Sequence, residues 1–160
     1  MKIKYFIVAV PVLFFLRPAM AQVETESEDV LAVVQTFFDA MNAADSVASS
    51  SVLLAQGHLY ATVLGESDVV VRHTLFSEYL ASISKGSNVY LERMWNPEVT
   101  IKQWLASVTT PYDFHIDGKF SHCGTDIFNL VKIQGAWKIA SAIYTVERSD
   151  CPPSPLGDPE

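Results

Sequence analysis

The sequence predicts an α+β domain in which amphipathic helices come first and long antiparallel strands follow. Apolar residues recur at helical spacing between Val30 and Met41. From Val89 onward the pattern changes to extended segments separated by turn residues. Helices followed by a run of consecutive strands are typical of a helical layer packed on one face of a curved antiparallel sheet.

The first 21 residues have the features of a signal peptide. Lys2 and Lys4 precede an apolar run at 5–16, and a small-x-small cleavage pattern follows at 19–21. The run is shorter than the ~20 residues that span a bilayer, so we expect export without a membrane anchor. The protein would then be periplasmic or secreted.

The mature chain is small and acidic. Removing 21 of 160 residues leaves 139, with 8 basic and 18 acidic residues and a net charge of −10. This charge argues against nucleic acid and anionic membranes as partners. A chain of this size can bury one good core. We expect a single domain over 28–148, between a disordered lead at 22–27 and a proline-rich tail at 149–160.

Three helices are predicted in the chain. The apolar stripe places the first helix over 28–43, and a shorter helix begins at Asp45 or Ser46, either of which is a good N-cap. The third helix is predicted to begin at Thr74 and to end at Gly86.

The strands are separated by turn signals. The predicted extended segments are 58–64, 69–72, 89–95, 98–108, 112–116, 119–133 and 136–148. Asp117-Gly118 and Gln134-Gly135 each have the length of a two-residue hairpin turn, and Asp-Gly is the stronger of the two signals.

Cys123 and Cys151 are the two cysteines of the chain. In an oxidising compartment an even pair is more often bonded than free, so we predict a disulfide between them. Closing this loop would stabilise the fold by about 3 kcal/mol on the chain-entropy model. The alternative is a buried Cys123 and a free thiol in the tail.

Several segments carry a resemblance to a known superfamily. Besides the opening helix, they are Glu92-Arg93-Met94-Trp95, Tyr112-Asp113-Phe114, His122-Cys123-Gly124 and Gly135-Ala136-Trp137-Lys138-Ile139. In these the chain resembles the NTF2-like superfamily over about 28–148, and is most similar there to small exported SnoaL-like or putative lumazine-binding proteins. The resemblance implies a cystatin-like cone of helices against a strongly curved antiparallel sheet. It does not imply a reaction, because the superfamily includes isomerases, dehydratases, cyclases and proteins without catalysis.

The hairpin turns predict the register of the last three strands. Two-residue turns would place Asp113 opposite His122 and Asp126 opposite Ile143. These side chains and several aromatic rings would then share one face, which we assign to the concave side because an apolar wall with a few polar groups is typical of small-molecule pockets. The predicted ligand-binding residues are Asp126, Phe120, Phe128, Trp137, Ile143 and Tyr60.

Asp113 and His122 are the candidate catalytic pair. A carboxylate opposite an imidazole can fix its tautomer and support acid–base chemistry. The alternative is a cross-strand polar pair that only stabilises the sheet. No tight metal-ligand spacing and no phosphate-binding glycine loop is present, so neither a metal nor a cofactor is predicted.

Arg72 lies between the first predicted strands and the third helix. Arg72 is a candidate for receiving an anionic group at a pocket rim. His58, Tyr60 and His73 are candidates for lining the same rim. A plain surface position near a helix start is the more common role for Arg72 and His73.

Two functions remain open from the sequence. The favoured one is an exported domain that binds a small apolar or aromatic molecule in its cone. The alternative is a cofactor-independent isomerase, dehydratase or cyclase that uses the His122–Asp113 pair. The second sheet face is also predicted to be apolar, which favours a homodimer through the sheet.

Overall fold

The computed structural model describes residues 19–65, 68–85 and 87–159 of the chain. The helices are α1 (Ala19–Asn42), α2 (Ser46–Val52) and α3 (Phe76–Ile83). The strands are β1 (Leu53–Leu64), β2 (Val69–Leu75), β3 (Tyr90–Met94), β4 (Glu98–Lys102), β5 (Leu105–Ile116), β6 (Lys119–Ile133) and β7 (Ala136–Val146). The order of the elements is the predicted one, with α3 between β2 and β3.

All these strands belong to one curved sheet with the order β2-β1-β7-β6-β5-β3, and β4 also pairs with β5. Neighbouring strands are antiparallel except β1 and β7, which run parallel. The sheet is therefore mixed, and the prediction of a wholly antiparallel sheet is corrected at this one pair. A parallel pair needs a long crossover connection, and the intervening strands and α3 supply it.

Helix α1 begins earlier than predicted. Residues 22–27, expected as a disordered lead, are helical and continue into the predicted helix. The buried side chains Val30, Val34 and Phe37 lie at helical spacing on the face that meets the sheet. The predicted signal peptide lies outside the described residues up to position 18, so its cleavage stays a prediction.

The two shorter helices have different start signals. Asp45 is the N-cap of α2, and its carboxylate accepts from the backbone N–H groups of Val47 and Ala48 at 3.0 and 2.9 Å. Helix α3 begins later than predicted, because Thr74 belongs to β2. The Glu78 carboxylate instead accepts from the backbone N–H of Leu75 at 3.0 Å.

The strand region 98–116 divides at a different place from the predicted one. A turn between Lys102 and Leu105, with Gln103 at φ 58°, separates β4 from β5. Strand β5 then runs without interruption through Pro111. The Asp117-Gly118 and Gln134-Gly135 turns are confirmed, with all four residues at positive φ.

A bulge in the β5–β6 hairpin overturns the predicted register. The register shifts by one residue between Phe114 and His115, so Asp113 lies opposite Cys123. His122 consequently lies opposite Phe114. Because a one-residue shift moves a side chain to the other face of a sheet, Asp113 and His122 lie on opposite faces, and the predicted pairing is wrong.

A second bulge changes the β6–β7 register. It lies between Asn129 and Leu130 and places Asp126 opposite Tyr144 rather than opposite Ile143 as predicted. Ile143 is therefore on the convex face, where it is 38% exposed. The two bulges together decide which side chains face the helices.

The helices pack on the concave face through aromatic rings. Phe37 and Phe38 of α1 each contact Phe128 of β6 edge-on, with ring centroids 6.0 and 5.6 Å apart. Phe37 also contacts Tyr79 of α3 at 5.4 Å. Trp137 is 4% exposed within this core cluster.

The tail is attached to the convex face. The predicted disulfide between Cys123 and Cys151 is formed. Residues 151–159 contain no helix or strand. Beyond the bridge, the backbone carbonyl of Gly157 accepts a hydrogen bond from Nη2 of Arg93 at 2.9 Å.

Candidate functional site

A cavity of about 440 Å³ opens between the concave face of the sheet and the helices. This volume lies within the range of small-molecule sites. Its apolar wall includes Phe37, Met41, Leu59, Ala61, Phe114, Phe128 and Ala142. Its polar side chains include Arg72, Tyr79, Glu92, His122, Asp126, Tyr144 and Arg148.

Tyr112 forms part of the cavity floor, and the position of its ring depends on the absence of a side chain at Gly124. The two residues lie opposite in the β5–β6 register, and the Tyr112 hydroxyl donates to the carbonyl oxygen of Thr145 at 2.6 Å. A Cβ at position 124 would lie 2.8 Å from Cε1 of Tyr112 and 2.2 Å from that carbonyl oxygen. The absence of a side chain at Gly124 therefore lets the tyrosine ring lie across β6.

Two carboxyl groups from different strands meet inside the cavity. Glu92 of β3 and Asp126 of β6 both line the cavity and lie close enough for each to act on the pKa of the other. Asp126 is 2% exposed, and its Oδ2 atom has no N–H or O–H donor among the described residues. The pair is thus a buried acceptor group whose hydrogen-bonding capacity is not filled by the described protein groups.

Burial raises the pKa of both carboxyl groups. It raises the pKa of Asp126 to about 8, although the neighbouring Glu92 side chain acts in the opposite direction. The pKa of Glu92 lies well above its usual range, first because of burial and then because of the Asp126 charge. Two neighbouring carboxylates cannot both ionise cheaply, so the pair keeps at least one proton at neutral pH.

His122 is a neutral side chain in the cavity wall, in the same row of the sheet as Phe114 and Glu92. Burial, and then the nearby charge of Arg148, lower the pKa of His122 to about 4. Its ring stacks on Phe114 with centroids 4.7 Å apart, and its Nδ1 atom lies 3.0 Å from Oγ of Ser121. At pH 7 the imidazole is therefore a polar hydrogen-bonding wall rather than a charge.

Arg72 and Arg148 lie at the mouth of the cavity. Both line it and both are exposed. Arg72 lies opposite Ala61 on β1. Arg148 follows Glu147, whose backbone pairs with that of Cys123 in an antiparallel β-bridge. Neither arginine forms an ion pair with a carboxylate of the described residues.

The structure brings together three of the predicted catalytic and ligand-binding residues and the rim candidate Arg72. Those lining the cavity are His122, Asp126 and Phe128, and Arg72 lines it too. The other predicted residues lie elsewhere, and they are Asp113, Phe120, Trp137, Ile143 and Tyr60. The ligand-binding role of the first three stays a prediction.

The displaced residues are separated from the cavity by burial or by their face. Trp137 is 4% exposed inside the closed part of the core, whereas Phe120 is 51% exposed beside the hairpin turn. Tyr60 lies on the convex face, where its ring centroid is 4.9 Å from those of both His58 and His73.

Asp113 belongs to a buried ion-pair cluster beneath the tail. Arg93 donates to it through Nε at 2.9 Å and Nη2 at 2.6 Å, and Nε2 of His115 lies 3.4 Å away. Burial alone would raise the pKa of Asp113, but hydrogen bonds from Arg93 and Ser154 outweigh it and lower the pKa. Asp113 therefore has an arginine partner and no access to His122.

Glu92 is the site residue that sequence reasoning missed. It was noted only within a segment that carried the resemblance. Its signal was the alternation Tyr90, Glu92, Met94, in which an acidic residue occupies an inward-facing position between apolar ones. Tyr144 and Arg148 were also missed as cavity residues, because their face depends on the β6–β7 bulge.

Other kinds of site have less support in the described part of the chain. No group of three or more His, Cys, Asp or Glu side chains there is placed to hold a metal ion. No helix of that part is long and apolar enough to cross a membrane. A second, open groove of about 480 Å³ beside Trp104 and Lys132 lies at the far end of the sheet from the carboxyl pair.

The comparisons with solved structures agree on the fold. An NTF2-like protein of unknown function from Shewanella baltica is 19% identical, with a TM-score of 0.57 over 76% of this chain and 93% of that one. An NTF2-like protein with a cystatin-like fold from Novosphingobium aromaticivorans is 11% identical, with a TM-score of 0.64 over 83% and 89%. A structure described as a putative dehydratase from Streptomyces avermitilis is 17% identical, with a TM-score of 0.59 over 78% and 97%. At these identities the likeness shows the fold alone.

No curated protein matches the chain significantly. The family model described as "Putative lumazine-binding" matches residues 25–145, which is most of the chain. The match spans α1 from residue 25, the sheet up to residue 145 and every cavity-lining residue except Val146 and Arg148. The chain therefore belongs to the putative lumazine-binding family and has its NTF2-like, cystatin-like fold.

Proposed function

We propose that this protein binds a small molecule with an apolar or aromatic body in the cavity of the cone. The observation that carries the proposal is the Glu92–Asp126 pair, a buried acceptor that faces an apolar cavity without a protein donor on Oδ2 of Asp126. An unsatisfied buried polar group costs about 1–3 kcal/mol. A ligand N–H or O–H group directed at the pair would remove that cost.

The family description supports a heteroaromatic ligand class. Lumazine is a flat heteroaromatic compound with N–H groups, and the cavity offers both an aromatic wall and an acceptor pair. Phe128, Phe114 and His122 would contact the ring faces, while Glu92 and Asp126 would orient the molecule.

A neutral fluorescent probe tests the proposal. N-phenyl-1-naphthylamine has an aromatic body and one N–H group, and its emission rises in apolar sites. We expect saturable binding to the wild-type protein with a dissociation constant of about 1–50 µM, typical of a partly apolar pocket. Val63→Trp, which fills the cavity, should abolish this binding.

Val71→Trp is the matched control. Val71 lies on β2 beside β1, is 59% exposed and does not line the cavity. Its variant should bind the probe as the wild type does. Equal binding by the Val63→Trp variant, or no binding by the wild type, would overturn the proposal. Independently of the probe, native mass spectrometry of the purified protein searches for a co-purified ligand.

The raised carboxyl pKa values favour one second candidate. A carboxyl group with a pKa near neutrality is suited to general acid–base catalysis, so a cofactor-independent isomerase, dehydratase or cyclase remains a candidate. The proton-transfer groups would be Glu92 and Asp126 rather than the pair His122–Asp113. Deuterium uptake from D₂O into a co-purified ligand, lost in Asp126→Asn, would support catalysis.

Export and dimerisation are further parts of the proposal. The residue pattern at 1–21 and the disulfide support export to an oxidising compartment. Amino-terminal sequencing of the envelope or secreted form should then begin at Gln22.

On the convex face, Ile127 and Ile143 lie opposite each other and are each 38% exposed, which supports a homodimer through the sheet.

A further inference from the structure

The two arginines at the cavity mouth specify more about the ligand than its apolar body. Building on the proposed function, we infer that the ligand is an apolar or aromatic acid whose anionic group is held by Arg72 and Arg148. The acid would place its carboxylate at the mouth and its hydrogen-bond donor at the Glu92–Asp126 pair. Its chemical class is therefore an amphiphilic monoanion rather than a neutral hydrocarbon.

Strand order places the two arginines around one opening. Arg72 on β2 and Arg148 after β7 are separated by strand β1 alone. Arg72 is in the row of Ala61 and Tyr144, and Arg148 lies four residues beyond Tyr144. About 10 Å across the sheet and about 13 Å along it put the two backbones about 16 Å apart, a gap that two extended arginine side chains can close around one carboxylate. Both side chains line the same cavity, so they can contact the same bound molecule.

The ion pairs formed elsewhere in the protein support an anionic ligand at the cavity mouth. The protein carries 18 acidic and 11 basic residues, yet neither mouth arginine has a carboxylate partner among the described residues. Arg93, by contrast, makes two hydrogen bonds to Asp113. A guanidinium group matches a carboxylate bidentately, so the mouth offers the geometry that an anionic ligand uses.

The interior of the cavity agrees with this orientation. Tyr144 and Asp126 lie opposite each other, and Ala61 links their row of the sheet to Arg72. The carboxyl pair keeps a proton at neutral pH, which reduces its repulsion of an anionic ligand. A ligand lying along this row would reach from the cationic mouth to the acceptor pair.

A pair of probes that differ by one charged group tests the inference. 8-Anilinonaphthalene-1-sulfonate has the phenylnaphthylamine body of the neutral probe above and adds a sulfonate, which stands in for a carboxylate. At low salt we expect the anionic probe to bind the wild type about tenfold more tightly than N-phenyl-1-naphthylamine. In Arg72→Gln/Arg148→Gln this preference should fall to about twofold or less, while the neutral probe binds unchanged.

A second competitor pair tests the carboxylate itself. 1-Naphthoate should displace the bound neutral probe at a concentration about tenfold lower than 1-naphthamide does. The double arginine variant should remove this difference. Should the variant fail to fold, raising NaCl from about 50 mM to about 0.5 M on the wild type should weaken the anionic probe selectively, because the mouth is exposed.

Lys102→Gln/Lys119→Gln is the matched control. It removes the same amount of charge from two exposed positions that do not line the cavity. Its preference for the anionic probe should stay within about twofold of the wild type. Equal binding of the two probes to the wild type, or equal loss in both double variants, would overturn the inference. Failure of the neutral probe to bind would instead overturn the proposed function.

Discussion

Burial gives Asp126 and Glu92 a chemistry that their side chains do not have in water. Each would ionise near pH 4 in an unfolded chain. In the cavity wall they lie close together, and burial raises the pKa of both. The pair can therefore accept a ligand donor and retain a proton at neutral pH, which a solvent-exposed pair could not do.

Asp126→Asn should remove a pH dependence of stability. In the wild type, the folded state holds a proton that the unfolded chain has already released above pH ~4, so the free energy of unfolding falls as pH rises toward 8. The variant should flatten this slope and raise the free energy of unfolding at pH 8 by about 1–3 kcal/mol. Urea unfolding at several pH values measures both.

His122 defines the pH window of that experiment. Because its pKa is lowered to about 4, the unfolded chain binds a proton there that the folded chain does not, and stability rises with pH up to about 6.5. Measurements between about pH 6.5 and 8.5 avoid this opposite effect. Asp29→Asn, at an exposed position of α1, should leave the slope unchanged. A wild-type slope of zero in that window would contradict a proton shared by the pair.

Gly124→Ala should destabilise the cavity floor. The new Cβ would lie 2.2 Å from the carbonyl oxygen of Thr145 and 2.8 Å from the Tyr112 ring, so the ring must move. We expect a loss of about 2 kcal/mol or more in the free energy of unfolding. Tyr112→Phe, which removes only the 2.6 Å hydrogen bond, should cost about 1 kcal/mol.

Thr125→Ala provides the control for position 124. Thr125 is the exposed neighbour on the same strand, and its side chain lies on the convex face. Its variant should unfold within about 0.5 kcal/mol of the wild type. A Gly124→Ala variant as stable as this control would show that the ring can be accommodated elsewhere.

At the scale of elements, β6 organises both the cavity and the tail. Its inward side chains Phe128 and Asp126 contribute to the cavity, and its outward Cys123 holds the tail through the disulfide. The tail in turn reaches Asp113 through Ser154, and Asp113 and the adjacent His115 are 4% and 5% exposed. A change in the tail would therefore affect the convex face and leave the cavity wall in place.

Reducing the disulfide should lower stability without removing the cavity. A closed loop of this length contributes about 3 kcal/mol, so dithiothreitol should lower the free energy of unfolding of the wild type by that amount. The reduced wild type should then be as stable as Cys123→Ser/Cys151→Ser, and the stability of that double variant should not change with dithiothreitol. Hydrogen exchange should become faster on β3 and β5 beneath the tail. A wild type whose unfolding is insensitive to reductant would contradict the expected contribution.

At the scale of the whole molecule, the two sheet faces have different roles. The concave face is covered by helices around the cavity, whereas the convex face leaves apolar side chains at its centre. Ile143 lies between Tyr60 of β1 and Ile127 of β6 in one row of this face. A second copy of the same face would cover that row by two-fold symmetry.

Ile127→Lys/Ile143→Lys should convert the proposed dimer to a monomer. Two lysines facing their symmetry copies would repel each other and lose the apolar contact. Size-exclusion chromatography with light scattering at about 10 µM measures the mass of each form. Val47→Lys, at a 79% exposed position on α2, should remain dimeric. A wild-type protein of monomer mass at this concentration would contradict the dimer.

Local sequence patterns were sufficient for the order of elements. The apolar stripe of α1, the Asp45 cap and the turn residues Asp117-Gly118 act within a few positions, so each could be recognised without knowing the rest of the fold. The disulfide was predictable from two cysteines in a chain with a predicted signal peptide. Asp126 and Phe128 were predicted as cavity residues on a register that proved wrong.

Only the tertiary structure decided which groups share the cavity. The bulges beside Phe114 and Asn129 carry no strong local signal, because their unpaired residues, Ser121 on β6 and Ala140 on β7, are not residue types that mark a bulge. Each bulge moves the following side chains to the other face. By itself the sequence determined the helices, the strands and the covalent bridge. The chemistry at the centre of the cone, where Glu92 meets Asp126, depends on contacts between distant strands that no short segment can specify.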